Sequence, residues 1–224
     1  MEIIRTSQMT KPSIVMTIYG KAGVGKTTLA TTAPNPVLID AEESSKALGA
    51  RGIDVAVANV KSWKDVQDAW GVISKSEYET VVIDPVDAFL GLLIDETKGG
   101  GDMSLRLWGV AKERMRKFIW AVKSSGKHVL FIAHEAKDKD DEKILRSPKL
   151  SANLSDELVN LCDVVGHLRI GEGNKRELLV QPKEKYDCKD RFAALGDSVK
   201  DPNVTKMIAT IHAAFDKPPF ESKK

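Results

Sequence analysis

The sequence predicts an α/β fold in which helices cover both faces of a mainly parallel β-sheet, with an antiparallel hairpin at one edge. Apolar β-branched runs alternate with helical segments, a glycine-rich turn follows the first strand, and two late strands flank a short turn. In sheets of this kind the ligand lies at the carboxyl ends of the strands. We therefore expect the functional residues to follow the strands directly.

The length of the chain sets the number of domains. Its 224 residues suffice for one α/β domain with a sizeable core and are too few for two ordinary domains plus a linker. We expect a single domain over residues 1–224, divided into an N-terminal arm at 1–13, a core at 14–196 and a C-terminal helix and tail at 197–224.

The composition disfavours membrane proteins, secreted proteins and strongly basic nucleic-acid binders. No apolar run approaches the roughly 18 residues of a membrane span, and the N-terminus lacks the pattern of a signal peptide. We expect a cytoplasmic protein with no membrane partner. The net charge of +2 gives no bulk attraction to nucleic acid. Cys162 and Cys188 lie far apart with no histidine at ligand spacing, which favours reduced thiols over a zinc site.

The predicted elements follow in order along the chain. Apolar runs predict the strands "SIVMTIYG", "PVLIDAE", "DVAVANV", "TVVIDPV" and "HVLFIAH". Helices are predicted for "KTTLATTA", stopped by Pro34, for "SWKDVQDAWGVISKS", opened by Ser62, and for residues 107–122. The strands "DVVGHLRI" and "RELLVQPK" flank "GEGNK", which suits a hairpin, and "PNVTKMIATIHAAF" predicts a last helix with Pro202 near its first position.

The segment "GKAGVGKTT", after the first strand, has the spacing G-x-x-x-x-G-K-[ST] of the P-loop or Walker A motif. Its glycines let the backbone curl so that several N–H groups converge on a phosphate, Lys26 reaches the β- and γ-phosphates, and the Thr27 hydroxyl completes a Mg²⁺ shell. The positive end of the next helix adds attraction for anions. We predict ATP and Mg²⁺ as cofactors, bound by Gly20, Lys21, Ala22, Gly23, Val24, Gly25, Lys26, Thr27 and Thr28.

Carboxylates follow two of the apolar strands. Asp84 ends "TVVID" and is predicted to hold Mg²⁺ together with Thr27, the alternative being a helix N-cap. Asp40 and Glu42 lie two residues apart, so in an extended chain their side chains share one face. One of the two is predicted to polarise the attacking water, the alternative being acids that start a helix.

A histidine and a lysine pair are further candidates. His134 ends "HVLFIAH", where an imidazole can hydrogen-bond the γ-phosphate or its water, the alternative being a surface histidine. Lys183 and Lys185 lie two apart, hence on one side of a strand. They are candidates for positive charges offered to a neighbouring subunit's phosphates, and solvated edge lysines are the competing interpretation.

The order of these motifs resembles the RecA-type recombinase ATPase core over roughly residues 14–192. The resemblance implies that Glu42 activates water, that Asp84 holds magnesium, and that His134 replaces a residue that is usually glutamine. It also implies that the lysine pair acts across a subunit interface. The predicted catalytic residues are therefore Glu42, Lys26, His134, Lys183 and Lys185.

The chain is most similar in plan to core-only RecA-like ATPases of bacteriophages, including those that anneal single-stranded DNA beside a phage single-strand-binding protein. This implies a DNA-stimulated ATPase in phage DNA recombination, in the host cytoplasm. The implied partners are single-stranded DNA, a single-strand-binding protein and further copies of the chain in a filament or ring.

In that family, two loops hold DNA, and here they would be residues 91–106 and 135–150. The candidate DNA-binding residues are Lys98, Arg106, Lys137, Lys139, Lys143, Arg146 and Lys149. Acidic residues dilute these charges, and neither segment holds an aromatic residue for base stacking. DNA binding by the protein alone is therefore expected to be weak and strongly salt-dependent.

Two other classes share parts of the pattern. In the partition and positioning ATPases, which dimerise with ATP, Lys21 would be the signature lysine, although Ala22 stands where those proteins have glycine. A P-loop small-molecule kinase would want an arginine-rich lid, and the mobile candidate segment at 135–149 has a single arginine. We favour the recombinase core over both.

Overall fold

The computed structural model of the protein describes residues 5, 9–140, 143–183 and 185–216, with backbone alone at 137–140, 143–144 and 152. Its strands are β1 Val15–Gly20, β2 Pro36–Asp40, β3 Ala56–Asn59, β4 Thr80–Asp84, β5 His128–Asp140, β6 Lys143–Pro148, β7 Val164–Ile170, β8 Arg176–Leu179, β9 Lys189–Asp190 and β10 Ser198–Lys200. Its α-helices are α1 Lys26–Ala30, α2 Lys46–Gly49, α3 Trp63–Ile73, α4 Val86–Lys98, α5 Leu105–Lys123, α6 Ala152–Leu161 and α7 Val204–Ala214.

The strands form a mostly parallel sheet in the order β10-β8-β7-β1-β5-β4-β2-β3. The strands from β7 to β3 in this order are parallel, whereas β8 pairs antiparallel with β7 and with β10. The predicted fold class is therefore confirmed, including the antiparallel hairpin at one edge. Because β5 lies between β1 and β4, His134 stands at the level of Gly20 at the carboxyl edge of the sheet.

Helices cover both faces of the sheet, and this is why the parallel strands are apolar throughout. On β1, Val15 and Tyr19 pack into one core with α3, α4, α5 and α6, while Met16 and Ile18 pack into the other with α1 and α7. Strands buried on both faces lack the polar alternation of half-exposed strands. None of the helices in the described residues has the length and apolar character that a membrane crossing needs.

The helix ends confirm one predicted cap and correct another. Ser62 caps α3 in a capping box, because its side chain accepts the Asp65 N–H and the Asp65 carboxylate accepts the Ser62 N–H. Pro202 was predicted near the first position of the last helix, and it lies two residues before Val204, where α7 begins. Asn203 is the N-cap of α7 and accepts the Lys206 N–H, so Pro202 precedes the helix.

Both segments that were predicted as DNA-holding loops are largely regular structure. Residues 91–98 belong to α4, and 105–106 to α5. The second segment is a β-hairpin, in which β5 and β6 pair from Glu135 and Pro148 outward to Asp140 and Lys143. The sequence misled here because a two-stranded hairpin that projects from a sheet has little apolar surface to bury, so its strands lack an apolar pattern.

Candidate active site

The glycine-rich loop joins β1 to α1 at the carboxyl edge of the sheet. Two of its glycines are required by packing as well as by backbone conformation. A Cβ at Gly20 would lie 2.4 Å from the Leu168 carbonyl oxygen, and Gly25 has a φ of 98°. Residues with a Cβ are strained in that region of φ, so the curvature of the loop requires glycine there.

Lys26 is buried inside the loop, with 7% of its surface exposed. Its ammonium donates to the carbonyl oxygens of Gly20 at 3.0 Å and Lys21 at 3.1 Å. Burial lowers the pKa of Lys26, an effect that the nearby carboxylate of Asp84 partly offsets. The positive charge is therefore held at the place where the motif requires a phosphate-binding lysine.

Thr27 and Asp84 meet as predicted. The Thr27 hydroxyl donates to the Asp84 carboxylate at 2.6 Å, and Ser44 donates to the same oxygen at 3.3 Å. Asp84 is only 3% exposed, and burial raises the pKa of its carboxyl group. A hydroxyl and a carboxylate are the hard oxygen ligands that Mg²⁺ takes beside phosphates, so this donor set fits magnesium.

Glu42 and His134 lie on the same edge, where His134 also contacts Asp87, a residue that the sequence did not reveal. The imidazole Nδ1 of His134 is 2.9 Å from the Asp87 carboxylate, and its Nε2 is 3.8 Å from the Glu42 carboxylate. The ammonium of Lys149 lies 3.6 Å from Asp87. A carboxylate on Nδ1 selects the tautomer that carries a proton there, which leaves Nε2 for the reaction side.

Asp40 is not a candidate for water activation. Its carboxylate is fully buried and accepts the backbone N–H groups of Glu42, Ser44 and Ser45. It therefore fixes the turn after β2, and the Glu42 side chain remains 48% exposed beside His134. Of the two acids that the sequence left open, the geometry favours Glu42.

The lysine pair does not lie on one face of a strand, so that part of the prediction was wrong. Lys183 and Tyr186 exchange both backbone hydrogen bonds in a tight turn. Lys183 and Lys185 are both exposed there. The turn packs on β6, because the Arg146 N–H donates to the Lys185 carbonyl oxygen at 2.9 Å.

The candidate DNA-binding residues are not brought together in one loop. Lys98 ends α4 and pairs with Asp95, whereas Arg106 is exposed on α5. The side chains of Lys137, Lys139 and Lys143, on the hairpin strands, lie outside the described residues.

The remaining two candidates, Arg146 and Lys149, have partners near the phosphate loop. Arg146 forms an ion pair with Glu135, which is 4% exposed and also accepts from His167 at 2.8 Å. Burial alone would raise the pKa of Glu135, but the His167 hydrogen bond and Arg146 together lower it. Arg146 is thus held by a buried carboxylate.

The fold and the site define a P-loop NTPase, because the loop after β1 faces a magnesium-suited aspartate two strands away. Residues 13–192 match the AAA domain family, and the chain belongs to this family of P-loop ATPases. Over 140 residues the chain is 28% identical to the SPbeta prophage-derived uncharacterized protein YorG of Bacillus subtilis (strain 168). The match covers 56% of this chain and 42% of YorG, so the chain spans less than half of that relative.

Proposed function

We propose that the protein binds and hydrolyses Mg-ATP and couples the reaction to the binding or annealing of single-stranded DNA in phage DNA recombination. It acts as a homo-oligomer, a filament or a ring, beside a single-strand-binding protein. Membership of the AAA family supports the ATPase part, and the likeness to a prophage-derived protein supports the phage part.

In this proposal the nucleotide is bound by the loop after β1, the start of α1 and the end of β4. Lys26 and the loop N–H groups contact the β- and γ-phosphates, while Thr27 and Asp84 provide oxygen ligands for Mg²⁺. Magnesium, when bound, neutralises charge on the phosphates.

Water activation is assigned to Glu42, which follows β2, and to His134 on β5, the two strands that flank β4. Glu42 accepts the proton of the attacking water, because its carboxylate is exposed at the edge where the phosphates end. Asp87 holds His134 by Nδ1, so that Nε2 can accept a hydrogen bond from water when neutral or donate one to phosphate when protonated.

The observation that carries the DNA part is that β5 runs from the nucleotide edge into the β5–β6 hairpin. His134 lies at the level of Gly20, and beyond it β5 pairs with β6 instead of with the sheet. Lys149, just after β6, donates its N–H to the His134 carbonyl oxygen at 2.8 Å. A change in the contacts of His134 therefore acts on both strands at the base of the hairpin.

An aromatic residue beside the hairpin also supports DNA binding. Tyr186 lies next to Arg146 and lines a cleft of about 390 Å³ between the hairpin and the tip of the phosphate-binding loop. Neither predicted DNA segment contains an aromatic side chain, but the fold brings this one to the hairpin. Stacking of a base on such a ring contributes about 1–3 kcal/mol.

We expect single-stranded DNA to raise the rate of ATP hydrolysis at low salt with Mg²⁺. Replacing Lys137, Lys139 and Lys143 together with alanine should remove most of this stimulation and leave the DNA-free rate unchanged, because these residues lie on the hairpin away from the phosphates. Steady-state hydrolysis with and without DNA measures both.

The affinity for single-stranded DNA should also depend strongly on salt. For five phosphate contacts, the logarithm of the association constant should fall with the logarithm of the salt concentration at a slope of about −3.5.

The matched control removes the same number of charges from exposed helical positions. It replaces Lys64, Lys117 and Lys206 with alanine, all of which are exposed and lie on α3, α5 and α7. This variant should keep the stimulation. A wild-type protein that responds to no DNA would contradict the DNA part, and ATP-dependent dimerisation in its place would favour the partition-type interpretation.

The exposed lysine pair is proposed to act on the nucleotide of a neighbouring subunit. In the double variant Lys183→Ala and Lys185→Ala, the hydrolysis rate should fall by about 10³-fold while nucleotide affinity changes little, since trans-acting charges act on the transition state. Mixing this variant with Lys26→Ala protein should restore part of the activity in mixed oligomers. Loss of nucleotide affinity in the double variant would place the pair within its own site instead.

A further inference from the structure

Arg176, the first residue of β8, contacts the phosphate-binding loop from 152 residues away in the chain. Its Nε–H donates to the Val24 carbonyl oxygen at 2.9 Å. Its guanidinium lies directly on the next residue, because a Cβ built on Gly25 would be 2.5 Å from Nε. Because glycine has no Cβ, position 25 can adopt its positive φ and also allow the close approach of this arginine.

The bonded carbonyl belongs to the same peptide unit as the Gly25 N–H. A trans peptide is planar, so its C=O and N–H point in opposite directions. Holding the Val24 oxygen from one side therefore holds the Gly25 N–H towards the other. Since a P-loop binds phosphate through its backbone N–H groups, this orientation is functional in such a loop.

The charge of Arg176 adds polarisation to orientation. A hydrogen bond from an ionised donor is stronger than a neutral one, and it strengthens hydrogen bonds made by the same peptide group. Lys26 binds the carbonyl oxygens of Gly20 and Lys21, at the start of the loop. Arg176 binds the carbonyl at its other end, so the two cations secure different halves of the loop.

The position of Arg176 is itself fixed by the hairpin at the sheet edge. Arg176 pairs with Ile170 of β7, and its carbonyl oxygen accepts the Asp201 N–H at 2.8 Å. The neighbouring Lys175 turns away to an ion pair with Asp201 at 3.2 Å. The antiparallel hairpin therefore presents one cation to the loop and the adjacent one to solvent.

We propose that Arg176 is a positioning residue of the nucleotide site, which orients and polarises the Gly25 N–H so that it can bind a phosphate of the nucleotide. This inference rests on the proposed ATP binding and adds a role for the β7–β8 hairpin in it. The antiparallel edge of the sheet is then part of the ATP site.

The test compares Arg176→Gln with Lys175→Gln, which removes one positive charge from the adjacent, solvent-facing position. Arg176→Gln should weaken ATP and ADP binding by about tenfold or more, raising KM with a smaller change in kcat, whereas Lys175→Gln should bind as the wild type does. Arg176→Lys, which keeps the charge without the planar fork, should recover part of the affinity. Titration with a fluorescent nucleotide measures all three.

A second measurement reports on the local contact without nucleotide. In the amide spectrum of the ¹⁵N-labelled protein, the Gly25 peak should move in Arg176→Gln and stay in place in Lys175→Gln. Wild-type nucleotide affinity in Arg176→Gln, or an unmoved Gly25 peak, would overturn the proposal. If the wild type itself bound no nucleotide, the ATP-binding proposal would fail and this role for Arg176 with it, while a moved peak would still show the contact.

Discussion

Replacing Lys26 with alanine is expected to lower ATP hydrolysis by about 10²–10³-fold or more, because it removes the main positive charge at the β- and γ-phosphates. The ammonium is buried within the loop and bonded to two of its carbonyl oxygens. Nucleotide affinity should fall with the rate. Titration with a fluorescent nucleotide and a steady-state hydrolysis assay measure the two effects.

Asp84→Ala tests the other half of the same site and should reduce hydrolysis to a small residual rate. It removes the carboxylate that faces Thr27, so the dependence of the rate on Mg²⁺ concentration should shift to much higher concentrations. Asp84→Asn is the better variant for separating chemistry from folding. Burial already raises the pKa of Asp84, which means that the charge is costly in the folded protein, so a neutral isostere should not lower the melting temperature.

The control for both variants is Lys64→Ala, an exposed substitution on α3. It should leave the rate and the melting temperature unchanged. Full hydrolysis by folded Lys26→Ala protein would contradict the assignment of the loop as the phosphate site. The companion variant Lys26→Met, which fills more of the buried space, guards against loss of activity through unfolding.

Glu42→Gln is expected to lower turnover by about 10²–10⁴-fold and to leave nucleotide affinity nearly unchanged. The amide keeps the size of the side chain but cannot accept the proton of the attacking water. The turn beside Glu42 is fixed by the Asp40 carboxylate and not by the Glu42 side chain. Single-turnover hydrolysis should therefore be slow, with the triphosphate accumulating on the protein.

The neighbouring Glu43 provides the matched control. Its carboxylate pairs with Lys46 and Lys61 on the surface, so Glu43→Gln should keep wild-type turnover. Equal losses in the two variants would show that charge at this turn matters in general and that Glu42 is not the water-activating group. Normal turnover in Glu42→Gln would exclude it directly.

Features that depend on a few consecutive residues could be predicted from the sequence. The loop from Gly20 to Thr28 is one, because its glycines, lysine and threonine act within a single turn of chain. The strand before it and the strand ending at Asp84 are others, because burial on both faces leaves a continuous apolar run. Parallel pairing then brings the strand ends together.

Features that depend on the tertiary structure could not be predicted from the sequence. Asp87 was missed because α4 was not predicted, and only the insertion of β5 beside β4 brings this residue to His134. Arg176 reaches the phosphate loop because β7, the partner of β8 in the predicted hairpin, pairs with β1, and Tyr186 reaches the β5–β6 hairpin through a bridge to Arg146. No local pattern encodes either of these placements. The choice of Glu42 over Asp40 required the contact of Glu42 with His134 on β5, together with the local hydrogen bonds by which Asp40 fixes the turn.

By itself, the sequence determined that this protein has an α/β fold with a phosphate-binding loop and an acid suited to magnesium, because these depend on local backbone geometry and on burial. Only the tertiary structure decided which acid faces the reaction side, which residue orients His134, and which arginine supports the loop. The physical reason is distance along the chain. The contacts from His134 to Glu42 and Asp87, and from Arg176 to Val24, join residues from 47 to 152 positions apart, and strand order and register bring these residues together.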